Sequence, residues 1–144
     1  MIDIEALQKY SLFGGLLPEQ VAVVRGLLTY EAYEAGEVLL AEGQANDRIC
    51  FIVEGKVEVL KNGQSLVEVG EGETFGEMEL LDVMPAIATI RALTPVGVAV
   101  MANRALYRLS HEDLRIFAII VMNLARDLSR RLRRMDELAV KGPN

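Results

Sequence analysis

At 144 residues, with 51% apolar and 25% charged side chains, the chain reads as one globular domain with room for a helical appendage. A net charge of −6 argues against general affinity for nucleic acid or anionic membranes, and the single cysteine excludes an internal disulfide and fits a reducing cytoplasm. Asp3 and Glu5 interrupt any leader pattern, and the longest apolar run, Ile116 to Met122, is far short of the ~20 residues of a bilayer span, so no membrane partner is expected.

Ile4 to Tyr10 read as a short helix. Pro18 suits a first helical position, and Val21, Val24, Leu27 and Leu28 follow at helical spacing. Between them SLFGG carries Leu12 and Phe13, which are expected to dock on the domain. From Tyr30 onward, glycines at 36, 43, 55, 63, 70, 72 and 76 separate short runs with period-two alternation: EVLLA, RICFIVE, KVEVLK and SLVEV. Such spacing predicts an antiparallel β-sandwich or barrel. Asn62-Gly63 between two alternating runs is the strongest hairpin signal. Two more strands are expected at 88–93 and 96–101, split at Thr94-Pro95, and a last one at 105–109.

Ser110 is a good N-cap, with Asp113 placed to serve the first turn of a helix that runs to about Leu138. At ~1.5 Å per residue this helix is about 40 Å long. Its first half is apolar nearly all round. Leu114, Phe117, Val121, Leu124 and Leu128 form a stripe that resumes, after a one-residue hop, at Leu132, Met135 and Ala139. The pattern fits a two-stranded coiled coil and predicts a homodimer through Phe117, Val121, Leu124, Leu128 and Leu132. Packing wholly within one chain is the alternative. The fold expected is mainly β: an antiparallel jelly-roll barrel over 30–109, N-terminal helices over 1–29, and a long helix with a short tail over 110–144.

Between the strands lies FGEMELLDVMPAIATIRA, residues 75–92. Gly76-Glu77 follows a short strand, and seven residues separate Glu77 from Pro85. Together with AGEVLLAEG and RICFIVEGKVEVL upstream and the long helix downstream, this order resembles the cyclic-nucleotide-binding domain family. Its members include the effector domains of catabolite-activator-type bacterial regulators and the regulatory subunits of protein kinase A. The resemblance covers Leu12 to about Glu137. It implies that backbone amides near Gly76 face an anion and that Glu77 accepts a ribose hydroxyl, with Met78 beside them. The family's phosphate-pairing arginine falls on Ala86, and its small polar neighbour on Ile87. Loss of the charged partner of a buried anion costs roughly 2–5 kcal/mol, or roughly thirty- to several-thousand-fold in affinity. The resemblance therefore implies a site at Gly76, Glu77, Met78, Ala86 and Ile87 that takes cyclic AMP or cyclic GMP only weakly, or another small ligand. Arg91 is a candidate replacement cation, but five residues along a strand from Ala86 it points to the opposite face; an arginine from the terminal helix of a second copy, such as Arg130 or Arg134, is the other candidate.

Arg126, Arg130, Arg131, Arg133 and Arg134 read as a solvated helix face interleaved with Asp127, Asp136 and Glu137. Family regulators carry a helix-turn-helix domain after the long helix. The sequence stops at Asn144, so the expectation is no direct DNA binding and output through a separate protein. No catalytic or metal-ligating set emerges, because His111 is the single histidine and no nucleophile elbow accompanies it. Two functions are expected: a non-catalytic sensor that signals by moving its terminal helix, or a dimeric scaffold that binds no nucleotide.

Overall fold

RICFIVE, the most continuously apolar strand run, explains the architecture. It forms β3 (Arg48–Glu54), and four consecutive residues, Ile49 to Ile52, are buried. A strand buried on both faces needs no polar alternation. Ile49 and Phe51 face the helices, in a core shared with Leu7, Phe13, Val21, Ala99, Met101, Ile116 and Ile120. Cys50 and Ile52 face the opposite sheet, in a second core with Val57, Phe75, Ile90, Val98 and Val100. Burial pushes the Cys50 thiol up to about 12, which keeps it protonated.

The computed structural model describes residues 4–77 and 83–140, with side chains through 137. The chain begins with α1 (Ile4–Gln8), a 3-10 turn (Ser11–Phe13) and α2 (Pro18–Arg25). The other strands are β1 (Thr29–Tyr33), β2 (Val38–Leu40), β4 (Lys56–Lys61), β5 (Gln64–Gly70), β6 (Thr74–Phe75), β7 (Thr89–Ala92) and β8 (Val96–Ala102). They form two four-stranded antiparallel sheets, ordered β1-β8-β3-β6 and β2-β7-β4-β5. This is the double-sheet order of a jelly roll. Asn62 and Gly63 both take positive φ, 52° and 78°, as the primed turn of a two-residue hairpin requires. Leu12 and Phe13 are buried as expected. Phe13 meets Phe51 edge-on at 5.6 Å, and the buried Asn123 amide donates to the Leu12 and Gly14 carbonyls at 2.9 Å each.

The structure corrects three sequence expectations. The strand expected at 105–109 is instead part of α3 (Asn103–Glu112), because Ala105, Leu106 and Leu109 share a helical face against the core. Five residues are too few to separate the two periods. Ser110 lies inside that helix and donates to the Tyr107 carbonyl. Asp113 is the true cap of α4 (Leu114–Val140), accepting from the Ile116 amide at 3.2 Å.

The third correction concerns which face of α4 is free. Ile116, Ile120 and Leu124 are buried in the chain's own core and Phe117 packs partly buried against it, so the expected stripe is covered at Leu124 and partly covered at Phe117. The outward seam is Leu114, Ala118, Val121, Ala125, Leu128, Leu132 and Met135. It alternates steps of four and three without a hop, and Leu114, Leu132 and Met135 are each more than 60% exposed. A helix apolar all round offers two such stripes, and tertiary packing decides which one is covered. Among the described residues, no helix is long and apolar enough to cross a membrane.

Gly55 joins β3 to β4 with φ +88°, and a Cβ there would lie 2.2 Å from the Pro95 carbonyl oxygen. Gly63 has a similar φ but nothing within 4 Å. Gly55→Ala is therefore expected to cost about 2–4 kcal/mol, against about 1–2 kcal/mol for Gly63→Ala, whose only penalty is the left-handed backbone. Denaturant midpoints at unchanged slope measure both, and equal losses would contradict the contact.

Candidate functional site

The site is built where β6 leaves the sheet. Phe75 pairs with Cys50 and Thr74 with Phe51, fixing the strand on β3. The chain then turns at Gly76 with φ +88°. A side chain there would meet the Arg48 carbonyl at 2.7 Å and the Asn46 amide at 2.8 Å, so only glycine fits. Asn46 Nδ2 donates to both the Arg48 and Gly76 carbonyls, at 2.9 and 3.0 Å, which ties this turn to the start of β3.

Glu77, the next residue, is 1% exposed. A carboxylate this deep requires a partner. Arg131 of α4 supplies it: Nη1 donates to Glu77 Oε1 at 2.7 Å, while Nη2 donates to the Thr74 carbonyl at 2.6 Å and to Thr74 Oγ1 at 3.0 Å. Burial pushes the Glu77 carboxyl up, and the Arg131 guanidinium and the residue's own amide oppose that shift. We read the pair as ionised, on the 2.7 Å contact.

Two further polar links run from α4 to the same end of the sandwich. Ser11 Oγ donates to Asp127, and Arg134 lies 3.6 Å from Glu73. A cleft of about 570 Å³ runs beside them, lined by Ser11, Gly72, Glu73, Asp127 and the arginines at 130, 131, 133 and 134.

Ala86 is buried in the inter-sheet core. Its amide donates to the Gln44 carbonyl at 2.9 Å, and its carbonyl accepts from Gly43 at 2.8 Å. Ile87 is about half exposed, and Lys61 Nζ donates to its carbonyl at 2.8 Å while lying 3.4 Å from Glu42. Arg91 is engaged elsewhere, donating through Nε at 2.9 Å to Glu58, its cross-strand partner on β4. Met78 lies outside the described residues. His111 is an exposed side chain whose ring lies tilted against that of Tyr107. Among the described residues, no group of three or more histidine, cysteine or acidic side chains is placed to hold a metal.

Sequence reasoning missed Asn46, Thr74 and Arg131. Its acidic neighbours make Arg131 read as part of a solvated face, yet it falls seven residues after Leu124 on the stripe of Ile116 and Ile120. That helical phase was the available signal. Chemically, the arrangement offers a buried hydrogen-bond acceptor at a glycine turn and a guanidinium brought in by a separate helix, while Ala86, in the inter-sheet core, brings no polar side chain.

The cyclic nucleotide-binding domain family model matches residues 30–113. A cAMP-dependent protein kinase regulatory subunit from Yarrowia lipolytica is 31% identical over 115 residues, covering 71% of this chain and 30% of that protein. The cyclic AMP receptor protein of Thermus thermophilus is 33% identical over 131 residues, covering 87% of this chain and 58% of the relative. The chain thus spans only part of these curated relatives. A crystal structure of a cyclic nucleotide-binding domain from Methylobacillus flagellatus superimposes with a TM-score of 0.87 at 30% identity, over 98% of this chain and 83% of that one. Sequence match, fold and the glycine–glutamate turn agree: the chain belongs to the cyclic nucleotide-binding domain family.

Proposed function

We propose that the chain is a non-catalytic regulatory module in which a ligand at the Gly76–Glu77 turn alters the position of α4. The observation that carries this is the buried Glu77 carboxylate, held under a turn that admits only glycine and contacted by the helix that would transmit the signal. The relatives are named for cyclic AMP, so cyclic AMP and cyclic GMP are the first ligands to test. With Ala86 and Ile87 at the positions carried over for the phosphate side, the module favours a neutral or weakly anionic ligand. Backbone amides favour an anion by only about 0.3–1 kcal/mol, less than an arginine contributes. Output passes to a separate protein in a reducing, cytoplasmic setting, which suits the free and buried Cys50. Ala86 and Ile87 favour a second reading, a scaffold that keeps the fold and binds no nucleotide.

The outward heptad seam supports a homodimer, because two such helices side by side cover what one chain leaves exposed. Light scattering at tens of micromolar, about the range of weak interfaces, is expected to give a dimer, and Leu132→Glu a monomer. A wild-type monomer would refute the seam.

Calorimetry is expected to give cyclic AMP a dissociation constant in the high micromolar range or weaker, from the ~2–5 kcal/mol lost with the arginine. Submicromolar binding would refute the weak pocket; no binding of either cyclic nucleotide or of adenosine would favour the scaffold. Ala86→Arg should tighten cyclic AMP at least about tenfold, a modest share of what a buried ion pair contributes. Unchanged affinity in a folded variant would show that residue 86 does not face the phosphate.

A further inference from the structure

Helix α4 carries a third stripe besides the one buried in the core and the outward seam. Ile119, Met122, Arg126, Arg130 and Arg133 follow one another at steps of three, four, four and three, so they share one flank of the helix. That flank lies about 130° round the helix from the seam, and a pairing along the seam leaves it accessible. The stripe turns from apolar to basic along its length. Met122 is 52% exposed, and the three arginines are exposed as well.

Facing the stripe is the turn at residues 11–15, and two cavities lie between these walls. One, of about 250 Å³, is lined by Gly14, Gly15, Ala118, Ile119, Met122 and Arg126. The other is the cleft of about 570 Å³, to which Ser11, Arg130 and Arg133 belong. Arg126 closes the first cavity and stands one helical turn before Arg130 in the second, so the two succeed one another along the helix. Glycine keeps the first one open: a Cβ at Gly15 would already be in contact with Ile119, 3.9 Å from its Cγ2.

Charge decides what this groove would hold. Residues 119–134 carry five arginines and one aspartate, in a chain of net charge −6. Three of the arginines are answered within the chain: Arg130 by Asp127, Arg131 by Glu77, and Arg134 by Glu73 at 3.6 Å. Among the described residues, Arg126 meets only the neutral Asn123 side chain, at 3.4 Å, and Arg133 has no hydrogen bond or ion pair. Two guanidiniums are left over, beyond an apolar seat. We propose that this groove is a docking site for an acidic segment of a partner protein, with an apolar side chain against Ile119 and Met122 and carboxylates on Arg126 and Arg133. From residue 119 to 133 the stripe is about 21 Å long, the reach of about six or seven extended residues. The apolar first half and the negative charge of the chain as a whole disfavour nucleic acid there. The proposal goes beyond the ligand-site reading and does not rest on it, since Glu77 is met by Arg131 and by no residue of the stripe.

Fluorescence anisotropy on the full chain, without cyclic nucleotide, tests the groove with labelled synthetic peptides of about eight residues, a leucine–phenylalanine pair followed by a run of glutamates. Saturable binding is expected. It should weaken about tenfold or more when the glutamates become glutamines, and about fivefold or more when the apolar pair becomes serines. Arg126→Gln together with Arg133→Gln should reproduce the first loss and Met122→Ser the second, in proteins whose thermal midpoint is unchanged. Arg104→Gln, an exposed arginine on α3, should leave binding as it is. No saturation by the acidic peptide at about millimolar concentration, equal binding of the glutamine peptide, or unchanged affinity in the doubly substituted chain overturns the proposal. Tighter binding of a single-stranded oligonucleotide of the same charge overturns it too. If the double substitution instead lowers the mass seen by light scattering, the groove holds a second copy of this chain, and the assignment to a partner protein falls.

Discussion

A carboxylate cannot sit 1% exposed in a protein without compensation, and that requirement shapes this end of the molecule. Glu77 is placed by a turn only glycine can make, and the charge it carries is met from a helix 54 residues further along the chain. Removing one member of such a pair costs about 3–5 kcal/mol, because the other is left buried and alone. The pair therefore constrains two otherwise separate elements: β6 must end where it does, and α4 must lie across the cleft for the carboxylate to stay charged.

The remaining architecture can be understood as support for that placement. β3 is buried on both sides and so acts as a common wall of the two cores. Its first residues also anchor the Gly76 turn through Asn46. The first half of α4 packs on the helix-facing side of the same wall, through Ile116, Ile120 and Leu124. A shift of β3 would thus disturb the turn and the helix together. The second half of α4, among the described residues, joins neither core and is held to the sandwich by polar contacts.

Much of this was legible in the sequence. The period-two runs and the Asn62-Gly63 turn read directly as a double-sheet β fold, and the order of the cassette carried the resemblance to the cyclic nucleotide-binding family. Three things were not legible, each for a physical reason. The segment 105–109 is too short for its two periods to be told apart, and Asp47, which accepts the Asn103 amide where α3 begins, is distant in sequence. The rotation of α4 depends on which of two apolar stripes meets β3, which no local pattern records. The partner of Glu77 is a long-range contact between an unremarkable arginine and a motif residue. The arginine's helical phase hinted at it, but its acidic neighbours pointed the other way.

The outward seam and Arg131 lie on different faces of one stiff helix, with Leu128, Arg131 and Leu132 inside little more than one turn. A helix cannot tilt or roll on one face alone. For two chains joined along that seam, a shift of the second half of α4 in one would change the seating of the seam in both. The two sites would then be thermodynamically linked, each occupancy altering the other's affinity by the same factor. Saturation curves of such a pair would depart from a simple hyperbola, and the sign of the departure would report whether the joined helices move together or against one another.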